Sequence, residues 1–186
     1  MTLNLHIKNV HLTLMPRIVS DRSEPLSATL DETAGAMPPP LDIRNPPRMI
    51  KLNAQLQPVA DGAAEHVAVL LPDYGLIFDA RMPKKADNWQ HAKDLGAACD
   101  LPGTGWRLPE RQELQLLIDP ARHEPAINTD YFPHTPTNDW YWTATARASS
   151  PSVFAWDVNF LYGYVGYNGQ GDSGFVRACR RVSPGQ

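Results

Sequence analysis

The sequence has no run of lysine or arginine residues, and acidic side chains outnumber basic ones, with 20 Asp and Glu against 17 Lys and Arg. The formal net charge is -3 and the isoelectric point is near 6.0. Nonspecific binding to phosphate backbones depends on a clustered basic surface. We therefore expect no nucleic-acid partner.

Long apolar segments are also missing. The first 17 residues, MTLNLHIKNVHLTLMPR, alternate apolar and polar side chains and lack the continuous apolar region of a secretion signal. No later segment approaches the roughly 20 apolar residues that are needed to span a bilayer. We therefore expect synthesis in the cytoplasm, with neither membrane insertion nor a standard secretion signal.

Cysteine is scarce as well, since the chain contains only two. Two cysteines fit a reduced cytoplasmic protein, where thiols stay free. They equally fit one disulfide in a particle that eventually leaves the cell. Composition alone leaves both alternatives open.

Proline and glycine are plentiful, with 18 and 12 residues, and favour a loop-rich β or α+β protein. Residues 3–14 alternate with one slip in register, which is typical of a strand with a β-bulge. From residue 20 onwards the periodicity is lost and prolines crowd, which indicates an extended arm with one short strand over residues 48–56. We predict a strand and proline-rich arm over residues 1–63, serving docking or oligomerisation, and a folded domain over residues 64–186.

The regular part of the sequence predicts a hairpin, two helices and several strands. Two apolar runs flank the turn sequence PDYG, and ADNWQHAKDLGAAC predicts a helix capped by Asp87 or Asn88. In TGWRLPERQELQLL, Pro109 suits the first position of a second helix, with Glu110 and Glu113 in its early turns. The strands WYWTAT, VFAWDVNF, YVGYN and FVRACRRV follow. The predicted class is α+β, with two helices and twisted antiparallel β-sheets.

This order of elements, with a cysteine on the first helix and another in the last strand, resembles the C-type lectin-like fold. The motifs GWRLPERQELQLLID, PAINTDYFP, DWYWTAT, FAWDVNF, GYV and FVRACR are similar in order and spacing to the Lcl C-terminal domain family, over about residues 67–182. Members of that family occur in bacterial surface adhesins and in phage or prophage genes. The resemblance implies a C-type lectin-like domain behind the N-terminal strand and proline-rich arm.

The resemblance also implies a disulfide between Cys99 and Cys179, which would join the two ends of the domain. Closing a loop of roughly 80 residues would stabilise the fold by about 4.5 kcal/mol in the chain-entropy model. The alternative is a pair of separate buried thiols, as expected for a chain that stays in the cytoplasm.

No motif for catalysis stands out in the sequence. Formylglycine-generating enzymes have a related fold, but they use a pair of reactive cysteines near the C-terminal end, where this chain has only Cys179. The pair His123-Glu124 lacks an accompanying Ser or Cys nucleophile motif. We expect no enzymatic activity and no catalytic residue. Structural roles, in the core or as buried polar anchors, are assigned to Trp89, Trp106, Arg107, Glu113, Trp142 and Trp156.

Calcium-dependent lectins bind their metal with a Glu-Pro-Asn or Gln-Pro-Asp tripeptide and a Trp-Asn-Asp element, which supply the oxygen ligands that a hard cation requires. Neither element occurs here. The segments 137–139 and 156–159 offer oxygens without the rest of the site. We therefore expect no metal site and no cofactor.

The segments TNDWYW and LYGYVGYNGQGDSG have the composition of an antibody-like binding surface. Tyr and Trp give contact area at low entropic cost, and Asn, Ser, Asp and Gly give adaptable hydrogen bonds. The alternative is a set of hairpin turns with tyrosines packed half-buried across strands. The candidate ligand-binding residues are Asn138, Asp139, Tyr141, Tyr162, Tyr164, Tyr167, Asn168, Gln170, Asp172 and Ser173.

We predict non-catalytic recognition by a phage or prophage virion protein of the tail, which binds a bacterial surface glycan or protein through these loops. Residues 1–63 then contact other virion proteins, because an alternating strand with free edges favours a partner. A homotrimer is expected by analogy. The alternative is a cytoplasmic effector or inhibitor that binds a host protein, and a less favoured one is an enzyme of the formylglycine-generating type.

Overall fold

The structure, a computed structural model, describes residues 46–182. The predicted strand over residues 3–14 and most of the proline-rich arm lie outside the described residues, as do the last four residues. Within the described part, two α-helices accompany nine β-strands that form two sheets. The predicted α+β class is confirmed.

Sheet A has four antiparallel strands in the order β1-β2-β3-β9. The strands β2 and β3 form the predicted hairpin, and Gly75 in its turn has a φ of 58°, in the left-handed region that favours glycine. Strand β1 lies within the predicted arm and pairs with β2. The bounds are β1 (Ile50–Leu52), β2 (Ala68–Leu71), β3 (Leu76–Asp79) and β9 (Cys179–Arg181).

The two helices begin at capped positions. Helix α1 (Trp89–Ala97) follows Asn88, whose side chain accepts a hydrogen bond from the His91 N–H, so the predicted cap is confirmed. Helix α2 (Arg111–Gln115) follows Glu110, so the prediction that Pro109 opens the helix is wrong by two residues. Glu110 is the better start because it forms a capping box with Glu113, and each side chain accepts from the other's backbone N–H.

Sheet B has five strands in the order β4-β8-β5-β6-β7, antiparallel except for the contact of β5 with β8. The sequence FVRACRRV was predicted as one strand, but it divides into β8 and β9, which lie in different sheets. Strand β4 was not predicted. The bounds are β4 (Lys84–Ala86), β5 (Tyr141–Ala146), β6 (Phe154–Asn159), β7 (Tyr164–Gly169) and β8 (Gly174–Val176).

The division between β8 and β9 coincides with a buried arginine. The Arg177 guanidinium donates to the Asp79 carbonyl at 2.6 Å and to the Thr135 hydroxyl at 3.0 Å. It also lies over the rings of Phe132 and Tyr141, with 4.8 Å and 5.8 Å to their centroids. Burial lowers the pKa of Arg177. These contacts lie where the chain passes from sheet B to sheet A, beside the backbone hydrogen bond from the Asp79 N–H to the Ala178 carbonyl.

Both faces of sheet A are covered by apolar side chains, and the two cysteines lie on opposite faces. Cys179 pairs in register with Phe78, so the two side chains share one face and one apolar cluster. Asp79 follows Phe78 in β3, so its side chain points to the opposite face of the sheet. On that face the Asp79 carboxylate lies 3.6 Å from the Cys99 sulfur. Both thiols are free. The disulfide that the resemblance implied is therefore wrong here, because the sheet stands between the two sulfurs.

Candidate functional site

Most of the predicted ligand-binding residues lie on or beside one β-hairpin, formed by β6, β7 and the turn between them. We refer to this element, residues 154–169, as the tyrosine hairpin. Tyr162 is 57% exposed, Tyr164 54% and Tyr167 44%. Large aromatic side chains at such exposure are contact area offered to solvent or to a partner. The local cause is the position of β7 at the edge of sheet B, where β6 is its one neighbour among the described strands.

One face of the tyrosine hairpin, which we name the arginine face, carries stacked aromatic rings and guanidinium groups. Trp156 pairs in register with Tyr167, and their rings meet edge to face at 5.8 Å. The Arg111 guanidinium lies 4.7 Å from the Trp156 ring centroid, and the Arg147 guanidinium lies 3.9 Å from that of Tyr167. Such cation–π contacts fix the position of a guanidinium while leaving its N–H donors available.

Neither of these two guanidinium groups has an ion-pair or hydrogen-bond partner within residues 46–182. Arg111 and Arg147 form hydrogen bonds there through their backbone groups, and the buried Nε of Arg111 has no acceptor. A free guanidinium group can donate two parallel hydrogen bonds to the oxygens of one carboxylate. The arginine face therefore combines aromatic area with two positive charges whose donors are unused.

The opposite face of the hairpin, the acid face, contains a buried carboxylate. Asp157 is 1% exposed, and its one recorded hydrogen bond comes from the Asn168 side-chain amide at 2.9 Å. Gly166 pairs opposite Asp157, and a Cβ at that glycine would lie 3.2 Å from the carboxylate, so no side chain competes for the space. Burial raises the pKa of Asp157 to about 6, the Asn168 hydrogen bond lowers it, and the nearby Asp139 carboxylate raises it.

Two indoles lie on the same sheet. The Nε1 atoms of Trp140 and Trp142 are buried without an acceptor. Both would lie within 3 Å of a Cβ placed on Gly174, at 2.8 Å and 2.9 Å. The glycine is therefore required by the close approach of the two indoles.

The remaining candidate ligand-binding residues are buried, bound to other parts of the protein, or exposed. Tyr141 is fully buried in the core, where its hydroxyl donates to the Pro136 carbonyl, and burial raises its pKa to about 12. Its prediction as a ligand-binding residue is wrong, because its ring packs against Phe160 and Phe175 in the core. Gln170 is bound to the protein itself, since its amide donates to the Pro151 carbonyl. Asp139 is paired with Lys85 at 2.8 Å. The exposed candidates near the hairpin that complete the set are Asn138, Asp172 and Ser173.

Sequence reasoning missed Arg111 and Arg147 and gave Asp157 no role of its own. Alternation in VFAWDVNF places Asp157 on the face opposite Trp156, which was a usable signal for a buried acid. The two arginines carry no such signal. Arg111 lies in the second helix and Arg147 beyond β5, and only the tertiary fold brings them over the hairpin rings.

The motif around Trp106 forms an anchor outside this site. Trp106 is buried, and its indole N–H donates to the Leu101 carbonyl. Arg107 holds the Glu113 carboxylate through two hydrogen bonds of 2.7 Å, and Arg181 adds a third at 2.8 Å. Burial works to raise the pKa of Glu113, but the hydrogen bonds from Arg107 and the Glu110 N–H, together with the positive charges of Arg107 and Arg181, outweigh it and lower the pKa. The network joins α2 to β9.

The two thiols offer no reactive pair. Burial is the main cause that raises the pKa of Cys99 and of Cys179, so the thiolate form that acts as nucleophile is disfavoured at both. Cys99 borders a cleft of about 240 Å³ that it shares with the ion pair of Arg81 and Asp79. Within residues 46–182, no three His, Cys, Asp or Glu side chains are placed to share a metal ion.

Among the described helices, neither is long and apolar enough to cross a membrane. Comparison with known proteins gives one family. The model of the Lcl C-terminal domain matches residues 67–180, which is more than half of the chain and contains both helices and the whole tyrosine hairpin. No curated protein matches the sequence.

Proposed function

The chain belongs to the Lcl C-terminal domain family, and from that premise we propose that it is a non-catalytic recognition protein that binds its ligand through the tyrosine hairpin. The family points to a surface-associated or recognition-type role. The finer assignment rests on this hairpin and on the resemblance of the sequence. A C-type lectin-like fold is part of the same proposal.

The exposure of Tyr162, Tyr164 and Tyr167 on one hairpin is the observation that carries the proposal. Tyrosine has few rotatable bonds and therefore loses little entropy when a partner orders it. The stacked guanidinium of Arg147 adds positive charge beside Tyr167. Binding surfaces are enriched in Tyr, Trp and Arg for these reasons.

The ligand class that we propose is a bacterial surface glycan or protein, and the setting is a phage or prophage virion tail. The chain would be a homotrimer there, attached to other virion proteins through the segment that precedes the domain. These parts rest on the family resemblance alone. Mass spectrometry of purified particles tests them, since a chain absent from particles would favour the intracellular effector.

The absence of catalysis is likewise a proposal. Formylglycine-type chemistry needs two cysteines that act together. Cys99 and Cys179 lie on opposite faces of sheet A, and burial disfavours both thiolates. Activity that survives replacement of Cys179 with serine would exclude that thiol mechanism but would leave another kind of catalysis open.

The test of recognition uses the fluorescently labelled full chain and intact cells of candidate host bacteria. Replacing Tyr162, Tyr164 and Tyr167 together with serine should reduce binding at least tenfold, because the exposed aromatic area is lost. The matched control is Met82→Ser, which removes a side chain of 62% exposure elsewhere on the domain. Periodate and protease treatment of the cells separates glycan from protein ligands. Equal binding by the triple variant and the wild type would overturn the proposal.

A further inference from the structure

Within residues 46–182, nothing pairs with the outer edge of β7 along its whole length. The strand has six residues, and its register with β6 runs from Gly169 to Tyr164 without a bulge. Its sequence, YVGYNG, contains no proline and no charged residue. Edge strands are normally protected from foreign strands by a short length, charged side chains, proline or a bulge. Strand β7 has none of these protections.

The backbone groups that face outward can be assigned from the hydrogen bonds at the end of the hairpin. The Gln170 N–H donates to the Val153 carbonyl, toward β6. Because direction alternates along an antiparallel ladder, the N–H and C=O groups of Val165 and Tyr167 point away from β6, with the N–H of Gly169. No partner for these groups is found within residues 46–182.

The other sheet edges in the described part of the chain are protected. Strand β4 has three residues, two of which are lysines. Strand β1 also has three residues, and its Lys51 carbonyl accepts the Val59 N–H from the following turn. Strand β9 ends in two arginines, and Cys179 exchanges hydrogen bonds with Arg107. The contrast makes the open edge of β7 a specific feature rather than a general property of this domain.

Charge indicates what kind of strand would fit. A strand added to β7 would place one set of its side chains on the arginine face, beside Tyr167 and the guanidinium of Arg147. That guanidinium and the one of Arg111 have unused donors, as described above. Asp172, in the turn after β7, is an exposed carboxylate nearby and is not paired with either. An acidic side chain on the added strand would therefore complete a charge pair.

We propose that the open edge of β7 is a strand-addition site for an extended, acidic segment of a partner polypeptide. The inference rests on the proposed recognition function and narrows its ligand to protein. Main-chain hydrogen bonds to Val165 and Tyr167 supply affinity, and Arg147 selects for acidic side chains. A second copy of the chain fits less well, because β7 contains no carboxylate to offer to Arg147. A glycan lacks the regular backbone donors and acceptors of a strand.

The experiment selects peptides from a displayed library of random twelve-residue sequences on the immobilised full chain. Recovered peptides should be rich in β-branched residues and carry Asp or Glu at alternate positions. Their binding should fall at least tenfold for Val165→Pro, which deletes an outward N–H, and should persist for Val165→Thr, which keeps it. Circular dichroism and melting curves establish that each variant is folded.

If Val165→Pro does not fold, Arg147→Gln provides a second test of the proposal. Arg147→Gln should weaken binding of the acidic peptides by about fivefold or more. It should also make the affinity for these peptides less dependent on salt concentration. Peptides without acidic bias, or binding that is equal for Val165→Pro and Val165→Thr, would overturn the proposal. So would a dimer that Val165→Pro dissociates, which would identify a second copy, or binding to a glycan array that Val165→Pro leaves unchanged.

Cell binding by the same variants separates this inference from the proposed function. If the triple tyrosine variant loses cell binding while Val165→Pro retains it, recognition by the hairpin stands and strand addition fails. If neither variant loses cell binding, both fail.

Discussion

The buried carboxylate on the acid face makes the stability of this domain depend on pH in an unusual direction. Asp157 is 1% exposed and has no cationic partner among the described residues, and its pKa is raised from 3.8 to about 6. An acid whose pKa is higher in the folded state binds its proton more tightly when folded. Its stabilising contribution is therefore complete below pH 3.8 and is lost as the pH rises through 6.

The magnitude follows from the size of that difference. About two pH units, at about 1.4 kcal/mol for each, correspond to about 3 kcal/mol of lost stability once Asp157 is ionised. Asp157→Asn keeps the volume and an oxygen that accepts the Asn168 amide hydrogen, but it cannot ionise. The variant should therefore gain stability relative to the wild type by about 2 kcal/mol between pH 4 and pH 8.

Urea unfolding of both chains at pH 4, 6 and 8, followed by tryptophan fluorescence, measures this gain. Other groups titrate equally in the two proteins, so their contributions cancel in the difference. The matched control is Asp172→Asn in the turn after β7, which removes an exposed carboxylate, keeps Asp157 and should not reproduce this gain. A difference between the Asp157→Asn variant and the wild type that stays constant from pH 4 to pH 8 would refute the reasoning.

Three further outcomes follow from the described contacts. Glu113→Ala should lower the free energy of unfolding by about 3 to 5 kcal/mol, because the partly buried Arg107 guanidinium loses its carboxylate; Glu113→Gln should cost less in the same urea assay. Gly96→Ala should destabilise by more than about 1 kcal/mol, since its Cβ would lie 2.5 Å from the Leu108 nitrogen, whereas Gly62→Ala, with open space around it, should be neutral within about 0.5 kcal/mol. Both cysteines should react with a thiol reagent in denaturant without reductant, and a count near zero would contradict the free thiols.

Local sequence signals predicted the elements whose ends are fixed locally. The PDYG turn and the Asn88 cap depend on residues within a few positions of each other. The assignment of FVRACRRV to one strand was wrong, because its strand-like pattern shows no interruption at Arg177. What ends β8 there is a buried guanidinium held by Asp79, 98 positions away. No local periodicity reports such a contact.

The predicted site was limited by the same cause. Exposed tyrosines were found because LYGYVGYNG combines turn residues with aromatic ones, but Tyr141 was included wrongly. The rest of TNDWYW has a similar composition. Tyr141 is buried because it pairs in register with Val158 and shares its apolar cluster. Arg111 and Arg147 could not be found, since their role arises from packing across sheet B.

The Arg107–Glu113 anchor and the tyrosine hairpin differ in how far their polar groups are satisfied within the domain. The Arg107–Glu113 pair holds α2 against β9 through several charged hydrogen bonds, so its loss should destabilise the domain. Among the described residues, the hairpin instead has two guanidinium groups without acceptors, a strand edge without a partner and Asp157 without a cation. Each of these either lowers the stability of the domain or forgoes a stabilising interaction. A bound partner would supply the missing interactions, which is why we propose the hairpin as the binding surface. The motif around Trp106 instead serves the fold, since its ion pairs hold α2 against β9.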